Sequence, residues 1–231
     1  PNVRGASMAV DAGIDHLTVT VSVSEEYSRR NVGMSSADSL AAAEQIAGMA
    51  PVVDVVLSCA FGSPYEGAIS PTLVGGFASR CRSAGATVTL ADTTGMATPR
   101  TVTDVLSVTG VDVGLHLHDT RGTALVNAFA AWEAGVGRFD TAIGGLGGSP
   151  FATGAGGNLA TEDLVYLFDD LGIDTGVDFG RLLAASALAS SLVGRPVPSR
   201  VAAASAAAGP TTPPAPPTTS PSPGGALGAV V

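Results

Sequence analysis

Val111-Asp-Val-Gly-Leu-His-Leu-His118, then Thr123-Ala-Leu-Val-Asn-Ala-Phe-Ala-Ala-Trp-Glu-Ala134, then Arg138-Phe-Asp-Thr-Ala-Ile143: read in order, these three runs predict a strand, a helix and a second strand. Side chains on a strand alternate between its faces, so His116 and His118 share one side while Leu115 and Leu117 take the other. The middle run places Leu125, Phe129 and Trp132 on one helical stripe and stops at Gly135.

The same order recurs upstream. Leu17 to Val23 is rich in β-branched residues and reads as a strand, and Ser35-Ser-Ala-Asp38 resembles a capping box ahead of a helix over Leu40 to Met49. Val52 to Ser58 is a near-continuous apolar run of the kind buried on both faces, and Ser70-Pro71 opens a helix ending near Gly85. Ala86 to Leu90 is the next strand, and Thr98-Pro99 starts another helix. A short helix stopping at Gly13 precedes all of this, and helices over Thr161 to Leu171 and Asp178 to Val193 follow it. Five successive strand-helix units of about 25 to 35 residues each imply a parallel sheet, open or closed. The expected fold class is α/β, an ordered domain over residues 1–208, followed by a Pro/Thr/Ser-rich tail over 209–231 that is too poor in apolar residues to fold. A closed eight-stranded barrel needs three strands more than these five.

Composition narrows the function classes. The chain has 231 residues, 45% of them hydrophobic, with a formal charge of -9 and a pI near 4.6. That acidity argues against nucleic acid and anionic membrane as partners. No apolar run approaches the roughly 20 residues that cross a bilayer, and the opening residues lack a basic-then-apolar layout, so a soluble, cytoplasmic protein is expected. With only Cys59 and Cys81, no disulfide framework is expected. All eleven basic residues are Arg. Without a lysine amine, Schiff-base, pyridoxal phosphate and Walker-loop chemistry are excluded for the chain acting alone.

The polar residues that carry chemistry cluster after the strands, where an α/β enzyme places its site. His116 and His118 read either as satisfied core histidines or as ligands; two imidazoles on one face at a strand end make a divalent metal the economical explanation. His16 stands alone and reads as structural. Asn158 ends a glycine-dense loop from Gly144 and is equally a turn residue or an oxygen ligand for Mg or Mn. Asp92 is a turn aspartate, a general acid or base, or an orienter of a ligand; Asp119 has the same ambiguity, with orientation favoured over proton transfer. The loop fails as a dinucleotide fingerprint at Pro150 and reads better as a segment closing over substrate.

Gly114-Leu-His-Leu-His-Asp-Thr-Arg-Gly122 and Gly144-Gly-Leu-Gly-Gly-Ser-Pro-Phe-Ala-Thr-Gly-Ala-Gly-Gly-Asn-Leu-Ala-Thr-Glu-Asp-Leu-Val-Tyr166 closely resemble the hydroxymethylglutaryl-CoA lyase family, metal-dependent TIM-barrel lyases. Pro1-Asn-Val-Arg-Gly5, Ser24-Glu-Glu-Tyr-Ser-Arg-Arg-Asn31, Ser58-Cys-Ala-Phe-Gly-Ser-Pro-Tyr-Glu-Gly67 and Leu90-Ala-Asp-Thr-Thr-Gly95 extend the likeness from residue 1 to about 200. Isopropylmalate and homocitrate synthases differ at these places. The resemblance implies a partial TIM (β/α)8 barrel whose first three strands are missing. It further implies cleavage of 3-hydroxy-3-methylglutaryl-CoA to acetyl-CoA and acetoacetate with a divalent cation, Mg or Mn. By the same resemblance His116, His118 and Asn158 are metal ligands, Asp92 and His116 take part in proton transfer, Asp119 orients ligands, and Gly147, Gly148 and Pro150 belong to the substrate loop. Two departures stand out. Ser149 occupies the family's Cys position, where a thiol of pKa about 8.5 would be the better proton donor. The groups that the family's first strands supply, a metal-ligand Asp, a catalytic Arg and an acid, have no counterpart. The alternatives are an inactive barrel fragment, a subunit completed by a second chain, or a lyase for a related 3-hydroxyacyl-CoA. Open sheet edges predict a homo-oligomer.

Overall fold

The structure, a computed structural model, describes residues 2–148 and 156–208. The segment 209–231 and the loop residues Ser149 and Pro150 lie outside the described residues. Helix α1 (Val3–Asp11) leads into β1 (His16–Ser22), α2 (Glu25–Val32) and α3 (Ser36–Ile46). Three further strand-helix units follow: β2 (Val52–Ser58) with α4 (Pro71–Ser83), β3 (Thr87–Ala91) with α5 (Pro99–Thr109), and β4 (Gly114–His116) with α6 (Ala124–Ala134). β5 (Arg138–Asp140) runs into a 3₁₀ turn (Ile143–Gly145), and α7 (Thr161–Asp170), α8 (Phe179–Val193) and α9 (Arg200–Ala208) complete the chain. The five strands pair in parallel in sequence order, so β1 and β5 form the edges among the described residues.

Alternation divides the sheet into two chemically distinct faces. Leu17, Val19, Val21, Val53, Val55, Leu57, Val88, Leu90, Leu115 and Phe139 project one way and join one buried apolar cluster with Leu40, Ile46, Val74, Val102, Leu106, Ala128 and Phe168 from the helices. Register places Thr18, Thr20, Asp54, Thr87, Thr89, Gly114, His116, Arg138 and Asp140 on the other face. Val52 to Ser58 therefore sends Val53, Val55 and Leu57 into the apolar cluster, while its other face is mixed, with Ser58 buried. Val52 is exposed and Val56 half-buried, while Asp54 is buried inside a polar network.

Several boundaries moved for identifiable reasons. β4 spans three residues rather than eight. Before it, Arg82 donates to the carbonyls of Thr109 and Asp112 (2.9 and 3.0 Å), holding the approach as a turn. After it, the main chain pairs with the return limb of the glycine loop instead of β5: Leu159 N–H donates to Leu117 O (2.8 Å) and Asp119 N–H to Gly157 O (3.0 Å). Helix α2 has no apolar stripe and escapes a periodicity reading. It is held by a Ser24 cap on Tyr27 N–H, by the ion pairs Glu25–Arg29 and Glu26–Arg30 (2.6 Å each), and by Gly33 in the left-handed conformation. Helix α9 is almost all alanine, and its start is set from a distance: Asp163 accepts from Val201 N–H (3.0 Å) and from the Ser199 hydroxyl (2.7 Å).

On the polar face, Arg138 on β5 crosses β4 to reach β2. Nη1 donates to Asp54 Oδ1 (2.9 Å) and Nη2 to Val88 O (2.8 Å), while the hydroxyls of Thr87 and Thr89 donate to the two Asp54 oxygens (2.6 and 2.8 Å). The crossing needs glycine at 114, because a Cβ there would meet Thr89 Oγ1 at 2.6 Å and the Arg138 guanidinium at 3.1 Å. Among the described residues no helix is long and apolar enough to cross a membrane.

Replacing Arg138 with Met strands a buried carboxylate, a loss of about 3–5 kcal/mol for a wholly buried pair; with Arg138 40% exposed about 2–3 kcal/mol is expected by urea unfolding. Burial pushes the Cys59 thiol up to about 12 and the Cys81 thiol up to about 11. Both thiols stay protonated in the native protein, so their stabilising contribution is intact below their ordinary value near 9 and is lost as pH rises through 11 to 12. Iodoacetamide at pH 8 should label neither cysteine natively and both after denaturation, read by mass.

Candidate metal centre and active site

His116 ends β4 and His118 lies two residues on, so alternation turns both imidazoles to the polar face while Leu115 and Leu117, both fully buried, anchor the strand from behind. Their Nε2 atoms face each other at 3.1 Å. The opposite nitrogens are engaged elsewhere: His116 Nδ1 with Asp140 Oδ2 at 2.6 Å, and His118 Nδ1 with Gly156 O at 3.3 Å. A carbonyl can only accept, so this network assigns the His118 hydrogen to Nδ1, and the short carboxylate bond assigns the His116 hydrogen likewise. Two Nε2 lone pairs then converge, an arrangement that calls for a proton or a cation between them. Burial, followed by the neighbouring His116, lowers His118 to about 4, so its imidazole is neutral at physiological pH.

Asn158 joins the pair through the backbone, as the bridge partner of His118. Its Nδ2 donates to Leu146 O (2.9 Å), which fixes the amide, and among the described residues Oδ1 accepts no hydrogen bond. Gly147 packs directly on this amide: φ is +107° and an added Cβ would lie 2.6 Å from Asn158 Nδ2. The base of the loop is anchored from below. Fully buried Glu162 accepts from Gly144 N–H with both oxygens (2.9 Å each), and Ser199 N–H donates to Gly144 O (2.9 Å).

A donor set of two imidazole nitrogens and one carboxamide oxygen fits a borderline or hard divalent cation. His116 and His118, their Nε2 atoms 3.1 Å apart, would with Asn158 be the residues to hold such an ion. Among the described residues no group of three His, Cys, Asp or Glu side chains is arranged to hold a metal.

Asp92 follows β3 and is 1% exposed. Oδ1 accepts from Met96 and Ala97 N–H (2.7 and 3.1 Å), whereas Oδ2 is buried without a partner. Desolvation outweighs those two hydrogen bonds and raises the carboxyl to about 6, so it can hold a proton close to neutral pH. Its main chain touches the site, Asp92 N–H donating to His116 O (2.8 Å). Asp119 contacts neither imidazole in the hydrogen-bond network; its Oδ1 accepts from Ala124 N–H (3.0 Å) and caps α6. The carboxylate beside His116 is instead Asp140. Sequence reading passed it over, although its signal is simple: Asp140 is two residues past Arg138 on β5 and in register with His116. Gly147 and Gly148 form the outgoing loop limb, both exposed, while Ser149 and Pro150 lie outside the described residues. His16 is exposed at the start of β1, far along the sheet from this end.

A family model described as HMGL-like matches residues 1–189. The chain is 42% identical over 215 residues to (R)-citramalyl-CoA lyase of Chloroflexus aurantiacus, covering 87% of this chain and 67% of that protein. It is 41% identical over 212 residues to the mitochondrial hydroxymethylglutaryl-CoA lyase of Mus musculus, covering 87% of this chain and 65% of that one. The chain thus spans about two thirds of the length of these relatives, both of them enzymes. A solved HMG-CoA lyase of Acenitobacter baumannii, in complex with coenzyme A and 3-methylmalate, superposes with a TM-score of 0.83 at 39% identity, over 94% of this chain and 72% of that one.

The packing of Gly147 on Asn158 yields a test. Gly147→Ala should cost about 1–2 kcal/mol, through its positive φ, in thermal unfolding. It should also break the Asn158 to Leu146 bond, read as lost protection of the Asn158 side-chain amide hydrogens in NMR exchange.

Proposed function

The chain belongs to the HMGL-like family, and on that premise we propose that it is part of a carbon-carbon lyase cleaving 3-hydroxy-3-methylglutaryl-CoA to acetyl-CoA and acetoacetate. The observation that carries this reading is the meeting of His116 Nε2 and His118 Nε2 at 3.1 Å, each imidazole engaged through its other nitrogen, with Asn158 the backbone bridge partner of His118. These three would hold a divalent cation, Mg or Mn, which supplies Lewis-acid polarisation of the substrate oxygens. The lack of lysine supports the same choice, since a retro-aldol cleavage without a Schiff base needs such an acid.

In the proposed reaction the tertiary hydroxyl gives up its proton, its oxygen becomes the ketone of acetoacetate, and the adjacent carbon-carbon bond breaks. The bonding pair passes to the α-carbon of the thioester, and that carbon takes a proton to become the methyl of acetyl-CoA. Asp92 is assigned to proton transfer, supported by a carboxyl raised to about 6 with one oxygen unspent. His116 is assigned first as a ligand; any proton it moves must use the nitrogens already facing His118 and Asp140. Ser149 is assigned to the protonation step, with Gly147, Gly148 and Pro150 over the substrate. Asp119 acts by capping α6 behind the site.

A second reading rests on the citramalyl-CoA lyase likeness: the same residues would cleave (R)-citramalyl-CoA, which differs in its acyl part. The edges at β1 and β5 support an arc of a larger barrel, completed by strands outside this chain or by another polypeptide, and silent in catalysis until completed. Residues 1–208 are read as this barrel part and 209–231 as a tail.

Mn binding by electron paramagnetic resonance tests the ligand set on the chain itself. His116→Ala and His118→Ala should each weaken binding by at least about 10-fold; equal affinity in all three proteins rejects the assignment. In the completed enzyme, acetyl-CoA release from the two thioesters decides the acyl group, and Ser149→Cys should raise turnover on the preferred one.

A further inference from the structure

His116, His118 and Asn158 are held by unlike acceptors. His118 and Asn158 lean on main-chain carbonyls of the glycine loop, Gly156 O and Leu146 O. His116 alone is held by a side chain, and that side chain comes from the sheet. Asp140 is the last residue of β5, paired in register with His116 at the end of β4, and its Oδ2 is 2.6 Å from His116 Nδ1. Both residues lie on the polar face, so a parallel register that is constant along two strands brings carboxylate and imidazole together without help from a loop.

We infer that Asp140 is a positioning residue that fixes His116 as the Nδ1–H tautomer and aims its Nε2 lone pair into the space shared with His118. The chemistry of the pair requires an agent of this kind. His118 Nδ1 is committed to a carbonyl, so His118 presents a bare Nε2. Left to itself, His116 would relieve the meeting at 3.1 Å by carrying its hydrogen on Nε2 and donating it to His118, which would close the space to any cation. A carboxylate on the far nitrogen reverses that preference: the Nδ1–H bond to an anion is stronger than one to a neutral imidazole, and it makes Nε2 a better donor of electrons. No other carboxylate hydrogen-bonds either imidazole among the described residues. The inference rests on the metal reading above only for its consequence; the tautomer itself is a property of the metal-free chain.

The test therefore has two arms. With metal removed at pH 8.5, two-bond proton-nitrogen NMR of the imidazoles should show His116 carrying its hydrogen on Nδ1 in the wild-type chain and on Nε2 in Asp140→Leu. Asp140→Asn, whose amide oxygen accepts the same bond, should restore the Nδ1–H form. Asp140 is 52% exposed, so these substitutions leave the core untouched. In the second arm, Asp140→Leu should weaken Mn binding about 10- to 100-fold and Asp140→Asn less than that. A His116 that keeps its hydrogen on Nδ1 in Asp140→Leu overturns the inference, as does Mn affinity within twofold of wild type in that variant. A tautomer switch in a chain that binds no Mn upholds the positioning role and rejects the metal reading, so the two failures are distinct.

Discussion

Arg138 reaching over Gly114 to Asp54 is the contact on which the polar face of the sheet depends. A parallel sheet is ordinarily packed on both faces, but here the second face carries Thr, Asp, Arg and His. Such a face holds together only if its charges neutralise one another across strands. One guanidinium neutralises Asp54 on β2 and also donates to a main-chain carbonyl on β3 while lying across β4. The pair sits one alternation below His116 and Asp140. β4 and β5, the strands whose ends meet at the candidate centre, are themselves held in register by main-chain pairing.

Above that layer the site is built by pre-committing the far atom of each donor. Asp140, Gly156 and Leu146 each take one hydrogen, and the two imidazole Nε2 atoms are left facing each other. The supports differ in kind. Asp140 belongs to the sheet, whereas Gly156 and Leu146 belong to the two limbs of the glycine loop. That loop is in turn tied to Glu162 at the start of α7 and to Ser199 just before α9. The orientation of two donors out of three is thus linked to the C-terminal helices, although no residue of α8 or α9 reaches the imidazoles in the hydrogen-bond network. The Glu-Asp pair at 162 and 163 carries both ties, Glu162 to the loop and Asp163 to the cap of α9.

The chain is similar, at about 40% identity, to lyases named for two different acyl groups. His116, His118 and Asn158 face the reacting oxygens in the proposed reaction, not the remainder of the acyl chain. Discrimination between the two thioesters would fall to groups beyond this trio. An unspent, desolvated Asp92 oxygen beneath the site is the feature most in keeping with proton transfer, since a group of ordinary acidity would be fully ionised at neutral pH.

The succession of strand and helix was legible in the sequence, because it rests on local rules: β-branched runs, caps such as Ser35 and Thr98, and stops such as Gly135. So was the shared face of His116 and His118, which alternation alone requires, and the glycine loop ending at Asn158. Helix α2 was not legible, since its support is charge pairing rather than an apolar stripe, and neither was α9, whose start is held by Asp163. Asp140 and Glu162 were passed over because each earns its role only through a partner more than a dozen residues away. Sequence by itself determined which residues could bear ligand chemistry. Only the tertiary structure decided which atoms of those residues are free to do so, because tautomers, amide orientation and the partner of every buried charge are set by contacts between strands, loops and helices far apart in the chain.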